Sequence, residues 1–147
     1  MRMWMVDPRI LCRKHLAGEK VELLMFLGTF KRKLNIPGYV KNNLVEPLSI
    51  LDRYDELVTE FNRRGMNNNV ELDFELCLLN YLKPEWRNYE VNIVNALDDL
   101  IRRCPICAAR YQVIIETDWI PVLDYDVVQL TGGIEYNRKY HLEGIRP

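Results

Sequence analysis

The stretch from Pro8 to Leu34 constrains the fold of this 147-residue chain more than any other part of the sequence. Its apolar residues recur at helical spacing, so we predict a long helix that could bend at Gly18. Asp7 and Pro8 suit its start, because aspartate caps a helix and proline fits the first helical position. The run from Ile36 to Gly38, with a central proline, predicts its end. A helix of this length favours a mainly helical domain.

Three ionisable residues, His15, Glu19 and Glu22, interrupt the apolar pattern of this helix. Residues seven apart lie on nearly the same face, so we expect His15 and Glu22 on one side, roughly 10 Å apart along the axis. Apolar neighbours surround Glu22, so its carboxylate should be partly buried, which favours a cationic partner or a function. Glu19 is most simply an i, i+4 partner of His15 or a solvated charge.

Three further helices are predicted from apolar residues at helical spacing. Gly65 follows the first of them in a position typical of a helix C-cap, and Pro84 ends the second. The predicted spans are residues 50–64, 71–82 and 91–110.

The C-terminal part of the chain has a different pattern. Residues 113–115 and 127–130 are rich in β-branched side chains and are predicted to be strands, and a Thr-Gly-Gly turn precedes a third at 134–136. We therefore predict a mainly α fold: a compact single-domain helical bundle over residues 1–112, with a small β-rich or irregular tail at 113–147 packed on it.

The composition is that of an ordinary globular protein, with 48% apolar and 28% charged residues. No stretch approaches the roughly 20 uncharged apolar residues of a membrane span. The N-terminal residues lack the apolar run and cleavage site of a signal peptide. Nothing indicates a heptad repeat or an exposed apolar stripe. We expect a monomer with no membrane association.

Charge is distributed unevenly along the sequence, although the net charge is only −1. Residues 1–41 hold nine lysines and arginines against three acidic residues, whereas the rest of the chain holds eleven against eighteen. An anionic partner would therefore meet the N-terminal third.

The four cysteines, Cys12, Cys77, Cys104 and Cys107, are too few and too scattered for a disulfide framework. Cys104 and Cys107 form a C-x-x-C pair, which supplies two of the four ligands of a structural zinc site. Cys12, Cys77 and His141 could complete such a site only if the fold brought them there. We expect two buried thiols in a helix, and we predict no metal site.

Three blocks of sequence occur together in one order. The first block has Arg2, the His-Leu-x-x-Glu-x-x-Glu-Leu run at 15–23 and the basic pair Lys31-Arg32. The second is DRYDELVTEFNRRGMN at 52–67, and the third is VNIVNALDDLIRRCPIC at 91–107. Together they resemble the pyrimidine-dimer DNA glycosylase/AP lyase family of the phage endonuclease V type.

The resemblance implies a compact helical domain that needs no cofactor and acts on damaged double-stranded DNA. In that family the α-amine of the first residue attacks C1′ of the damaged nucleotide, displaces the base and leaves a Schiff base; β-elimination then nicks the strand. Alignment with the family pattern implies that Met1 is the nucleophile and Glu22 the catalytic acid/base. We expect a cytoplasmic protein of a prokaryote or of a virus-infected host cell.

DNA contacts are expected from four basic residues of the first block. Arg2 lies beside the amine, and His15 shares a helix face with Glu22, although a lone helix histidine is commonly structural. Lys31 and Arg32 could contact phosphate or could simply be the basic C-terminus that a helix dipole favours.

The implied chemistry agrees with general amine chemistry. An α-amine has a reference pKa of about 8, so a much larger fraction of it is neutral near pH 7 than of a lysine amine, and catalysis through an imine is an established route. A carboxylate such as Glu22 can stabilise a developing oxocarbenium charge or transfer a proton. Exposing a lesion in duplex DNA costs a few kcal/mol, which phosphate contacts from the basic N-terminal third can offset.

The chain departs from the family pattern in two places, and the second departure leaves other functions open. Arg2 is bulky, and a bulky second residue normally leaves the initiator methionine in place, so Met1 itself stands at the nucleophile position. Cys107, Ala108 and Ala109 stand where the family has aromatic residues. One alternative is therefore a lyase or glycosylase for other damaged bases or abasic sites. Another is a helical nucleic-acid-binding protein without catalysis.

Overall fold

The computed structural model describes residues 1–67 and 70–131. Within these ranges the chain forms α-helices joined by loops and short 3-10 turns, and it contains no β-strand, so the predicted mainly α class is confirmed. Among the helices so described, none combines the length and the apolar character needed to cross a lipid bilayer. The helices are α1 (Arg13–Lys31), α2 (Pro37–Lys41), α3 (Ile50–Arg63), α4 (Pro84–Arg87), α5 (Ile93–Arg103), α6 (Pro105–Glu116) and α7 (Asp124–Thr131).

The predicted long helix begins later than expected. Asp7 caps a 3-10 turn at Pro8–Ile10 by accepting a hydrogen bond from the Arg9 amide, and Leu11 is then extended before α1 starts. The prediction of one continuous helix from Pro8 is therefore wrong. The guanidinium of Arg64 supplies a reason, because it donates hydrogen bonds to the carbonyls of Pro8 (3.1 Å) and Leu11 (2.7 Å).

Two of the three shorter helices differ from their prediction. Helix α3 matches its predicted span, and Gly65 follows it with a φ of +71°, a conformation that favours glycine. The predicted helix at 71–82 is a 3-10 turn at Leu76–Tyr81. The predicted helix at 91–110 is α5 and α6, separated at Cys104 because Pro105 occupies the first position of α6.

The strands predicted after Tyr111 are wrong where the structure describes them. Residues 113–115 lie in α6 and residues 127–130 lie in α7. Val113 and Val127 are buried together against Ala109, and this packing outweighs the strand preference of β-branched residues. The strand predicted at 134–136 lies outside the described residues. The predicted division into residues 1–112 and a tail at 113–147 stays a prediction, and α6 runs across its boundary.

The core lies where α1 packs on α3 and where α5 and α6 pack on each other. The N-terminal segment, residues 1–6, runs into this core: Met3 is fully buried, and Trp4 and Val6 are nearly so. The Met3 amide donates a hydrogen bond to the Leu44 carbonyl at 2.7 Å. The beginning of the chain is thus part of the packed interior.

A buried ion pair joins α1 to α3. Arg53 contacts Glu19 through two hydrogen bonds of 2.5 and 2.9 Å, and both side chains are about 1% exposed or less. Burial acts to lower the pKa of Arg53, but the hydrogen bonds and charges of Glu19 and Glu56 raise it above its ordinary value. The expectation that Glu19 pairs with His15 or is solvated is therefore wrong.

Candidate active site

Glu22 lies where α1 passes the beginning of the chain. Its Oε2 accepts a hydrogen bond from the backbone amide of Arg2 at 3.1 Å. The glutamate is half-buried, as the sequence predicts. Because the α-amine of Met1 is only three bonds away from that amide nitrogen, the amine and the carboxylate share one small region.

The N-terminal segment is held in this position by contacts on both sides of the site. The Met3 Sδ accepts a hydrogen bond from the Glu46 amide at 3.3 Å, and Arg53 donates to the Val6 carbonyl at 2.6 Å. Met5 lies between these anchors with a φ of +60°, which costs a non-glycine residue of the order of 1 kcal/mol. The fold thus imposes a defined path on residues 1–6.

Arg2 is anchored to the protein by its side chain. Its Nη1 donates a hydrogen bond to Asp99 at 2.7 Å, and its guanidinium lies 3.5 Å above the centre of the Trp4 ring. Burial lowers the pKa of Arg2, and the hydrogen bond and charge of Asp99 offset this only in part. Its expected DNA contact stays a prediction.

Asp99 connects α5 to the site. Burial acts to raise its pKa, but hydrogen bonds from Arg2 and Arg102 hold it below its ordinary value. Asp99 and Trp4 were missed by sequence reasoning. Asp99 has no distinguishing signal, since it is one of several charged residues on an amphipathic helix.

Two clefts flank the site. One, on the Met1 side, has a volume of about 610 Å³, and the other, on the Arg2 side, of about 450 Å³. The Met1 cleft is lined by Met1, Met25, Gly28, Thr29, Arg32, Leu34, Asn35 and Tyr39. The Arg2 cleft is lined by Arg2, Lys41, Asn42, Asn43, Asn95, Asp98, Asp99 and Arg102. A nucleotide brought near the amine would therefore meet a recess and at least one cation on either side.

Lys31 and Arg32 lie at the C-terminal end of α1. Both are exposed, and Arg32 lines the Met1 cleft while its Nε donates to the Gly28 carbonyl at 3.2 Å. The structure thus brings Arg32 to the same recess as Met1, whereas Lys31 is its neighbour at the helix end. Their contact with DNA stays a prediction, since a basic helix C-terminus also satisfies the helix dipole.

His15 lies in a different cluster from Glu22. Its Nδ1 is 3.1 Å from Cys12 Sγ and 3.6 Å from Cys107 Sγ, and its ring packs edge-on against Trp4 with centroids 5.7 Å apart. The expected DNA contact of His15 stays a prediction. Sequence reasoning named Cys12 as a possible partner of Cys104 and Cys107 but missed His15, although the C-x-x-H spacing of Cys12 and His15 repeats the C-x-x-C spacing of Cys104 and Cys107.

The thiols of this cluster perturb one another. The hydrogen bond shared with Cys104 raises the pKa of Cys12 to about 12, whereas hydrogen bonds from Cys107 and Cys12 lower the pKa of Cys104. All three thiols are buried, as the sequence predicts for Cys104 and Cys107. Cys12, His15, Cys104 and Cys107 are also a group that could hold a metal ion.

Comparison with known proteins gives a match to a protein family. A family model described as pyrimidine dimer DNA glycosylase matches residues 1–74. The matched part includes Met1, Arg2 and Glu22 and the first two blocks of the resemblance, and it ends before the third block at 91–107. No curated protein and no solved structure gave a match.

Proposed function

The chain belongs to the pyrimidine dimer DNA glycosylase family, whose model matches half of its length, and from this membership we propose a bifunctional glycosylase and AP lyase for UV-induced pyrimidine dimers. The substrate is damaged double-stranded DNA. One observation carries the proposal: the Glu22 carboxylate is held 3.1 Å from the Arg2 amide, immediately beside the first residue of the chain.

In the proposed reaction the α-amine of Met1 is the nucleophile. Its lone pair forms a bond to C1′ of the damaged nucleotide, and the glycosidic bond breaks; the base takes the bonding electrons and a proton given up by the attacking amine, and it stays joined to the other pyrimidine of the dimer. Opening of the sugar ring at O4′ gives an iminium ion. Loss of a proton from C2′ then expels the 3′ phosphate by β-elimination, which nicks the strand, and water finally hydrolyses the imine to release the unsaturated aldehyde and regenerate the α-amine. This reaction needs no oxidant, reductant or cofactor.

Glu22 has two tasks in this sequence. While the base departs, its negative charge stabilises the positive charge that develops at C1′ and O4′. It then transfers protons during ring opening and elimination, a role that contributes typically about 10²–10⁴-fold to rate. The hydrogen bond from the Arg2 amide supports this assignment, because it fixes the carboxylate beside the nucleophile without using a side chain.

The missing aromatic residues have a structural explanation in this chain. Cys107 and Ala109 are buried, so two of the three positions face the interior and do not offer a surface to DNA. This removes part of the reason for assigning a different substrate. A lyase that acts on other damaged bases or abasic sites is therefore kept as an outcome of the test below.

Lys31 and Arg32 are proposed to contact the phosphate backbone, which predicts a change in salt dependence. Lys31→Gln or Arg32→Gln should weaken DNA binding and reduce the slope of log K against log salt by about 1 each. Lys14→Gln is the matched control, because Lys14 is also exposed on α1 but lies roughly 25 Å away from Lys31 along the helix. Fluorescence anisotropy over a salt series measures both quantities. Equal slopes for all three variants would argue against this contact.

Borohydride trapping tests the proposed chemistry directly. Intact mass first establishes that the purified chain begins at Met1. The protein is then mixed with duplexes that contain a pyrimidine dimer, an abasic site or no lesion, in the presence of sodium borohydride. We expect a covalent adduct with the first two duplexes, and peptide mapping should assign it to the N-terminal peptide.

The pattern of adducts separates the candidate functions. Adducts with both damaged duplexes support a dimer glycosylase with lyase activity. An adduct with the abasic duplex alone would replace it by the lyase for abasic sites. DNA binding without any adduct would leave the non-catalytic binding protein, and an adduct on an internal lysine would exclude Met1 as nucleophile.

A further inference from the structure

Three cysteines and one histidine converge at the junction of α1, α5 and α6. Cys12 Sγ, His15 Nδ1, Cys104 Sγ and Cys107 Sγ all lie within 4.8 Å of one another. They come from two short motifs, C-x-x-H at 12–15 and C-x-x-C at 104–107, that are 92 residues apart in sequence. Cys12 is the N-cap of α1 and Cys104 is the N-cap of α6, so each motif begins at the start of a helix.

The distances agree with one tetrahedral ion at the centre. Zinc–sulfur bonds of about 2.3 Å and zinc–nitrogen bonds of about 2.0 Å require about 3.8 Å between two sulfurs and about 3.5 Å between sulfur and nitrogen. Cys12 and Cys104 have their sulfurs 3.9 Å apart, and Cys107 Sγ is 3.6 Å from His15 Nδ1. The Cys12 to His15 distance of 3.1 Å is a few tenths of an ångström shorter.

Backbone amides are directed at the three sulfurs of the cluster. The amide of His15 donates to Cys12 Sγ at 3.4 Å, that of Cys107 donates to Cys104 Sγ at 3.4 Å, and that of Cys12 donates to Cys107 Sγ at 3.2 Å. Each sulfur thus accepts an N–H hydrogen bond, and two of them lie at positive helix N-termini. Several buried thiolates would be unfavourable without a cation among them.

From this geometry we propose that Cys12, His15, Cys104 and Cys107 bind a structural Zn²⁺ ion. Three thiolates and an imidazole form a complete donor set for zinc, with no open position for a substrate. A four-iron cluster needs its ligands spread around a larger core than a group within 4.8 Å provides. The proposal stands on this cluster alone and does not depend on the proposed enzymatic activity.

The ion would join parts of the chain that are distant in sequence. It would fix the N-terminus of α1 to the start of α6, next to the break between α5 and α6 at Cys104 and Pro105. His15 packs edge-on against Trp4, and Trp4 carries the Arg2 guanidinium 3.5 Å above its ring. The proposed zinc ion would therefore hold His15 in place against Trp4 and so support the N-terminal segment.

Metal analysis of the full-length protein tests the proposal. Protein purified without chelator should contain one zinc ion per chain by plasma mass spectrometry. X-ray absorption should give about three sulfurs at 2.3 Å and one nitrogen at 2.0 Å. Replacement by Co²⁺ should give the visible absorption of a tetrahedral thiolate site. Removal of the metal should lower Tm by about 10 °C or more, because binding to such a site is coupled to folding.

Variants identify the ligands. Cys104→Ser should lose the zinc, whereas Cys77→Ser is the matched control, because Cys77 is exposed and outside the cluster. If the cysteine variants do not fold, His15 variants still test the proposal. His15→Ala should lower zinc affinity at least tenfold, and His15→Cys should restore a four-coordinate site.

Other results would overturn the proposal. One is a folded wild-type protein that contains no stoichiometric metal and binds no Co²⁺ in the tetrahedral form. A metal shell of oxygen and nitrogen without sulfur, or zinc retained equally by His15→Ala and wild type, would also do so. The same holds for a native mass two hydrogens low, which would indicate a disulfide between cluster cysteines.

Discussion

Replacing Glu22 by glutamine is expected to lower the single-turnover rate of strand nicking by roughly 10²–10⁴-fold. Glutamine has nearly the same shape, and its carbonyl oxygen can still accept the hydrogen bond from the Arg2 amide. The variant therefore keeps the packing around the site but loses the negative charge and the ability to transfer protons. DNA binding should be equal or stronger, since one negative charge is removed from the interface.

The measurement is the nicking rate on a duplex with one pyrimidine dimer, with enzyme in excess, together with Kd by anisotropy. Glu85→Gln is a suitable control, because Glu85 is exposed on α4 and its replacement changes the net charge equally. A folded Glu22→Gln variant that nicks within about threefold of wild type would remove Glu22 from the mechanism; a uniform loss of binding would indicate a structural defect instead.

Replacing Arg53 by methionine is expected to destabilise the protein by about 3–5 kcal/mol. The change leaves the Glu19 carboxylate buried without its cation, and it also removes the donor that bonds the Val6 carbonyl at 2.6 Å. Hydrogen bonds and attraction from Glu19 and Glu56 keep the pKa of Arg53 above its ordinary value despite burial, so Arg53 stays protonated. Urea unfolding followed by circular dichroism measures the loss.

A double-mutant cycle separates the buried charge from the loss of packing. Glu19→Leu combined with Arg53→Met should recover much of the stability lost by Arg53→Met alone, because no unpaired charge remains. Arg102→Met is the exposed control: its pair with Asp99 has an arginine side chain that is 74% exposed, and its loss should cost at most about 1 kcal/mol. A cost for Arg53→Met near that of Arg102→Met would contradict the charged-pair interpretation.

The helical class and the position of α3 could be predicted from sequence because apolar periodicity reports them directly. The boundaries that failed depend on contacts between distant residues. The break before α1 depends on Arg64, which bonds carbonyls more than fifty residues earlier. Helices replaced the strands predicted at 113–115 and 127–130 because α6 and α7 pack together, and residue preference alone does not record that packing. The break before Pro105 could have been predicted from the sequence, because proline is favoured at the first position of a helix.

Only part of the candidate site could be predicted from the sequence. Glu22 was identified by its partial burial and by family resemblance, and the structure brings it to the Arg2 amide. The partners of Arg2 could not be predicted, since Asp99 and Trp4 meet it only in the folded chain. The zinc proposal needed two motifs to be considered together. C-x-x-C alone supplies two ligands; Cys12 was a candidate for another, but His15 was not, because 92 residues separate it from Cys107.

The burial of Met3 limits how far the first residue can move. With Met3 packed in the core and bonded to Leu44, the preceding chain has a reach of two residues, about 7 Å when fully extended. The proposed nucleophile, the α-amine of Met1, cannot reach far enough to search for its target, so in the proposed reaction bending or flipping of the DNA must close the gap between the amine and the sugar. The enzyme would then select lesions that lower the free energy of deforming the duplex, even before it recognises a base, because deforming intact DNA costs more free energy.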